Sequence, residues 1–143
     1  MIRSTRRVFV GGLVLLATPI LTHAQEREFA VGQEWDVRDL PEGHAIIGRL
    51  DVINGVIVVH AFVLHNGLPE FGENPESGVS YGHLAFTQDA FSASVFRLAD
   101  PHAYVPDHFP IEYQRWLSNP YVIPIPIGQF VRLARQEALR RST

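Results

Sequence analysis

Six histidines in residues 25–143 are the side chains best suited to chemistry, because the chain contains neither cysteine nor lysine. His44 and His65 lie at the far ends of two apolar runs that Asn54-Gly55 joins. Counted outward from a two-residue turn at that pair, the two histidines fall opposite each other with their Cβ atoms about 5 Å apart. Two histidines in that position can share a metal ion.

The metal hypothesis requires a third ligand. His83 on a later predicted strand can supply it, as can a carboxylate from the loop at 66–78, which carries Glu70, Glu73 and Glu76. The cofactor would then be a divalent metal ion, with His44, His65 and His83 as its ligands. The simpler interpretation is a pair of half-buried histidines at the rim of a sheet. We favour that interpretation, in which no cofactor is needed.

The remaining polar residues match no established catalytic motif. His60 falls opposite Arg49 in the same register, where a packed histidine is the usual explanation. His102 and His108, each close to an aspartate, have a spacing that fits no metal motif. No serine lies in a Gly-x-Ser-x-Gly or Ser-x-x-Lys motif. The absence of lysine also excludes a P-loop and Schiff-base catalysis. These observations favour a protein that is not an enzyme.

The net charge of residues 25–143 limits the kinds of molecule that the domain is expected to bind. Residues 25–143 hold fifteen acidic residues against nine arginines, a balance that argues against nucleic-acid binding. Most of the acidic residues lie between positions 26 and 76. Three of them, Glu70, Glu73 and Glu76, fall in the Gly- and Pro-rich loop, where they form a predicted binding surface for a basic partner.

Residues 1–24 have the composition of a cleavable signal peptide. Three arginines precede an apolar run, which ends in the small-residue pattern Thr22-His23-Ala24. The pair Arg6-Arg7 resembles the twin-arginine export signal, and ordinary secretion is the alternative. The sequence therefore predicts a periplasmic or secreted globular domain at 25–143, with no stable membrane anchor after cleavage.

Hydrophobic periodicity predicts the elements of that domain. Alternating patterns indicate strands at about 29–38, 44–53, 56–65, 79–86 and 121–127. Helical spacing indicates helices at 88–98, 110–118 and 128–141. Strands that run together before the helices favour an α+β fold. The prediction is an antiparallel sheet of four to five strands, built on a central hairpin at 44–65, with two or three helices packed on one face.

Taken together, the sequence predicts a small exported binding protein that is not an enzyme, of the inhibitor or immunity type, with another envelope or secreted protein as its partner. Two alternatives remain open at this level. One is a histidine- or metal-dependent enzyme that uses His44, His65 and His83. The other is a small-ligand-binding protein of the cell envelope.

Overall fold

The computed structural model describes residues 27–143, so the predicted signal peptide lies outside the described residues. Five strands form one open antiparallel sheet in the order β4-β3-β2-β1-β5, and three helices pack against it. The predicted α+β class is confirmed. The elements in chain order are β1 Glu34–Val37, β2 His44–Ile53, β3 Val56–Asn66, β4 Gly78–Thr87, α1 Gln88–Ser94, β5 Val95–Asp100, α2 Phe109–Ser118 and α3 Ile127–Arg141.

The central hairpin forms at the predicted turn. Asn54 and Gly55 both have positive φ, at 52° and 78°, as a type I′ turn requires. The predicted register holds from Ile53↔Val56 back to Arg49↔His60. Beyond that point a β-bulge at Gly48 shifts the pairing by one residue. His44 therefore pairs with Leu64 and not with His65, which corrects the predicted register.

Two β-bulges, one in β2 and one in β4, lie at glycines that α2 covers. A Cβ on Gly48 would lie 2.4 Å from the ring of Phe109, at the start of α2. The second bulge, at Gly82 in β4, brings Glu112 of α2 so close that a Cβ there would lie 2.5 Å from its Oε1. A larger residue at Gly48 would push the helix away, whereas at Gly82 the end of the flexible Glu112 side chain would have to move. The bulges therefore allow α2 to lie close against the sheet.

The helices lie on both faces of the sheet. Val59 and Val63 of β3 share a buried cluster with Phe91 of α1 and Val131 of α3, so α1 and α3 cover one face, here called the α1/α3 face. The intervening residues of β3 point the other way, and Val58 packs on Trp116 of α2. This second face is called the α2 face. Two helices share a face as predicted, while the third covers the opposite one.

The predicted bounds of the first helix and of the first strand are wrong. Helical spacing predicted a helix through 88–98, but α1 ends at Ser94 and the chain continues as β5. Pairing with β1, for example Val37↔Val95, outweighs the local helical pattern. The first strand is also shorter than predicted, because the chain turns at Gly32, whose φ is +87°.

The fifth predicted strand, at 121–127, does not form. Only Ile123 bridges to β4, donating its N–H to Ala85 O at 2.8 Å and accepting from Thr87 N at 3.1 Å. The prolines at 120, 124 and 126 have no N–H to extend that pairing. The fifth strand of the sheet is instead β5, which pairs with β1 at the edge opposite β4.

Candidate functional site

The predicted metal ligands do not converge. Because the bulge pairs His44 with Leu64, the rings of His44 and His65 project from opposite faces of the sheet. His83 lies on the α2 face near the middle of β4, directly across from Phe62. Among residues 27–143 no three histidine or acidic side chains are arranged to hold a metal ion.

His44 lies among carboxylates at the end of the sheet. Its Nδ1 is 3.0 Å from Asp36 Oδ1 and 3.5 Å from Glu34 Oε1. Asp36 is nearly buried and also pairs with Arg97 of β5. A cavity of about 570 Å³ beside His44 is lined by Glu42, Leu64 and Ser80 among others. These contacts place His44 at the rim of the cavity.

His65 also lines this cavity, but its neighbours differ from those of His44. It is buried on the α1/α3 face, where its ring stacks on Tyr81 with centroids 5.6 Å apart. Its Nδ1 contacts the carbonyl oxygen of Asn66, which places a proton on that nitrogen. Burial lowers the pKa of His65, and the nearby arginines of α3 act in the same direction. His65 is therefore a packed, neutral histidine.

The acidic loop is held against α3 by ion pairs. Glu70 Oε1 lies 3.2 Å from Arg132 Nε, and Glu73 pairs with Arg135. Glu73 also accepts the backbone N–H of Leu68 at 2.9 Å. These pairs offset two of the three negative charges that were predicted to attract a partner. The third, on Glu76, is exposed.

The structure brings together a buried polar network that the sequence analysis missed. Asp51, His60 and His83 form a chain under α2, with His60 fully buried. His60 Nδ1 lies 2.7 Å from His83 Nε2, and His60 Nε2 lies 3.1 Å from Asp51 Oδ2, off the line of a good hydrogen bond. Tyr113 OH donates to Asp51 Oδ2 at 2.8 Å, and Arg49 Nε donates to Oδ1 at 2.8 Å.

The proton positions follow from the carboxylate. Since Asp51 is negative, the nitrogen of His60 that faces it, Nε2, carries the proton. His60 Nδ1 is then an acceptor, so His83 Nε2 must donate to it. Only one proton remains on His83, and its Nδ1 keeps a lone pair.

Burial determines the charge states in the network. Burial lowers the pKa of His83 to about 4; the neighbouring His60 adds to this, and Glu112 opposes it. Burial also lowers the pKa of His60, against the opposing influence of Asp51. Burial alone would raise the pKa of Asp51, but hydrogen bonds from Tyr113 and Arg49 together hold it below its usual value. At neutral pH the network contains one carboxylate and two neutral imidazoles.

Aromatic rings of α2 enclose the two imidazoles. Trp116 meets His60 edge to face at 4.7 Å, Tyr113 does so at 5.2 Å, and Phe109 meets His83 at 5.3 Å. One sequence signal was available for this site. Arg49, Asp51 and His60 fall on the same mixed face of the hairpin in the predicted register. The position of α2 over that face, however, could not be read from the sequence.

The tip of the hairpin is a second unusual feature. Four aliphatic side chains next to the turn, Val52, Ile53, Val56 and Ile57, are all exposed, and Val52 is 72% exposed. They form two cross-strand pairs, Val52↔Ile57 and Ile53↔Val56, which point to opposite faces of the ribbon. No buried cluster of the described residues includes any of them.

Comparisons with known proteins give no relative. No protein-family model, curated protein or solved structure matches this chain. None of the helices between residues 27 and 143 is long and apolar enough to span a membrane.

Proposed function

We propose that this chain is an exported binding protein, not an enzyme, that inserts the tip of its β2–β3 hairpin into an apolar cleft of another protein. The observation that carries the proposal is the exposure of Val52, Ile53, Val56 and Ile57 on both faces of the ribbon. Contiguous exposed apolar residues of this kind mark interaction sites in soluble proteins.

The shape of the tip favours a cleft in a different protein. Two tips from two copies of the chain would bury far less than the roughly 1,200 Å² that a stable interface usually needs. A cleft that closes on both faces of the ribbon buries all four side chains at once. This mode of binding suits an inhibitor or immunity-type protein.

The acidic loop has a smaller role in this proposal than the sequence predicted. Glu70 and Glu73 are matched by arginines of α3, so the loop is a weaker candidate for the main contact. Glu76 and the net negative charge of residues 25–143 would still favour approach to a basic partner.

Export remains part of the proposal and is supported by the residue pattern of 1–24. The intact mass of the protein from its native host tests it, because cleavage after Ala24 would leave Gln25 as the first residue. A retained Met1 would contradict export by cleavage.

Photo-crosslinking in the native host tests the docking site. The photoreactive residue p-benzoylphenylalanine is placed at Val52 and, as the matched control, at Val31, another exposed valine (56%) far from the tip in sequence. We expect one cross-linked protein at position 52 that is absent at position 31. The same adduct should disappear when Val56→Asp is added, while the unfolding midpoint of that variant changes little.

Three results would contradict the docking proposal. One is the same set of adducts from both positions. Another is an adduct that contains only a second copy of this chain. The third is an adduct that persists in the Val56→Asp variant, because a charge inside an apolar cleft should abolish binding.

A further inference from the structure

The ring of His83 ends the buried chain of polar groups and also lines a surface cavity. The cavity measures about 340 Å³ and lies at the edge of β4, beside the C-terminal half of α2. Its walls are His83, Glu112, Arg115, Trp116, Asn119 and Tyr121. This site is independent of the hairpin tip.

One nitrogen of His83 is free to bind a ligand. Nε2 is engaged with His60 on β3 at 2.7 Å. Nδ1 has no hydrogen-bond partner among the described residues, and the ring that carries it lines the cavity. Since Nδ1 has a lone pair, it offers an acceptor and no donor.

Glu112 places a second acceptor in the same cavity. Its Oε2 accepts the backbone N–H of His83 at 3.1 Å, and the bulge at Gly82 leaves room for it against the strand. Tyr121 lines the same cavity, and its pKa is raised by burial and further by the nearby Glu112.

We propose that this cavity binds a small organic ammonium ion whose N–H groups donate to His83 Nδ1 and to the carboxylate of Glu112. The ring of Trp116 supplies an aromatic wall, against which a cation is favourable. The carboxylate disfavours anions. Arg115 also lines the cavity, and its positive charge disfavours a cation. Its side chain is exposed, however, so water screens that charge.

The charge state of His83 fits such a ligand. Burial lowers the pKa of His83 to about 4, so the ring is neutral at pH 7 and does not repel a cation. A bound ammonium ion would also keep the ring neutral, because a positive charge beside an imidazole disfavours its protonation. A histidine with an ordinary pKa would become charged at mildly acidic pH and expel the ligand.

Titration followed by nitrogen NMR of the histidine rings tests the proposal. The probe is ethylammonium; tetramethylammonium, which has no N–H, and acetate are the controls. We expect a saturable shift of His83 Nδ1 with ethylammonium at millimolar concentration and none with acetate. Tetramethylammonium should bind about tenfold more weakly or not at all, because it donates no hydrogen bond.

A pair of matched glutamate variants tests whether Glu112 supplies the carboxylate that binds the ligand. Glu112→Gln should weaken ethylammonium binding about tenfold or more, and Glu76→Gln, a similar change on the exposed loop, should leave it unchanged. The spectrum of the free wild-type protein is a further test, and its result does not depend on whether a variant folds. It should show the proton of His83 on Nε2.

Several results would overturn the proposal. They are a proton on His83 Nδ1 in the free protein, no saturable shift with ethylammonium, equal binding of tetramethylammonium, or binding of acetate instead. Equal loss of binding in both glutamate variants would also overturn it. The cross-linking test at the hairpin tip is unaffected by any of these outcomes.

Discussion

The two faces of the sheet are built from the same strands but are closed by different means. The α1/α3 face packs aliphatic and aromatic side chains, such as Phe91 and Val131, with no bulge glycine against its helices. The α2 face contains a buried polar network in which His60 is hydrogen-bonded to His83 and lies close to Asp51, and its helix needs two glycine bulges to approach.

Because of this difference, one face mainly stabilises the fold, while the other carries the ionisable side chains next to a cavity. Apolar burial on the α1/α3 face contributes free energy that does not depend on pH, although His65, which is buried there with a lowered pKa, adds a pH-dependent part. The buried imidazoles of the α2 face make stability depend on pH and put the free nitrogen of His83 beside a cavity. Substitutions on the two faces should therefore differ in how their effects respond to pH as well as in size.

The largest expected effect is on the α1/α3 face. Phe91 is fully buried and meets the ring of Phe29 edge to face at 5.0 Å. Phe91→Ala should lower the free energy of unfolding by about 3–5 kcal/mol, from lost burial and the cavity left behind. Urea denaturation at pH 7 and at pH 5 should show the same loss. A loss that differs between the two pH values would contradict the separation of the two faces.

His83 on the α2 face should contribute to the pH dependence of stability, as should the buried His60 and His65. The pKa of His83 is near 6.5 in the unfolded chain and about 4 in the folded protein. Between these values the unfolded chain binds more protons, so the free energy of unfolding falls as the pH falls. The loss amounts to about 3 kcal/mol, begins near pH 6.5 and is complete near pH 4.

Urea denaturation across that pH range measures this slope. His83→Phe should reduce the slope, whatever it does to stability at pH 7. The exposed His102→Gln serves as the control and should keep the slope of the wild type. An unchanged slope in His83→Phe would show that His83 is not the group responsible.

A smaller effect should follow from filling a bulge. Gly48→Ala places a Cβ against the ring of Phe109 and should cost about 1–3 kcal/mol, because α2 must move outward. Gly78→Ala is the matched control, since no atom lies within 4 Å of its Cβ. Unfolding followed by tryptophan fluorescence, to which Trp35 and Trp116 both contribute, measures both. Equal stability of the two variants would contradict the close packing of α2.

The smallest expected effect concerns one hydrogen bond of the network. Tyr113→Phe removes the hydroxyl that donates to Asp51 and should cost about 1 kcal/mol. It should also raise the pKa of Asp51, which NMR of the carboxyl carbon can follow. Tyr104→Phe, on an exposed side chain, is the control and should change neither quantity. A Tyr113→Phe variant that leaves the pKa of Asp51 unchanged would remove Tyr113 from the network.

Local chemistry in the sequence was enough to predict the hairpin turn and the sheet around it. The turn at Asn54-Gly55 was correct because only a few residue types tolerate positive φ at both central positions. The strands at 44–53 and 56–65 were correct because period-two alternation is a local property. The helices at 110–118 and 128–141 were also placed within one residue at their starts, next to Pro110 and Gly128.

Only the tertiary structure decided the features that create the site. Gly48 and Gly82 become bulges because α2 packs on them, and each bulge shifts the register of every residue beyond it. The shift separates His44 from His65 and leaves His83 next to His60. Likewise the chain leaves α1 at Ser94 because β1 offers an edge for pairing. Such outcomes depend on contacts between residues far apart in the chain, and local propensity contains no information about them.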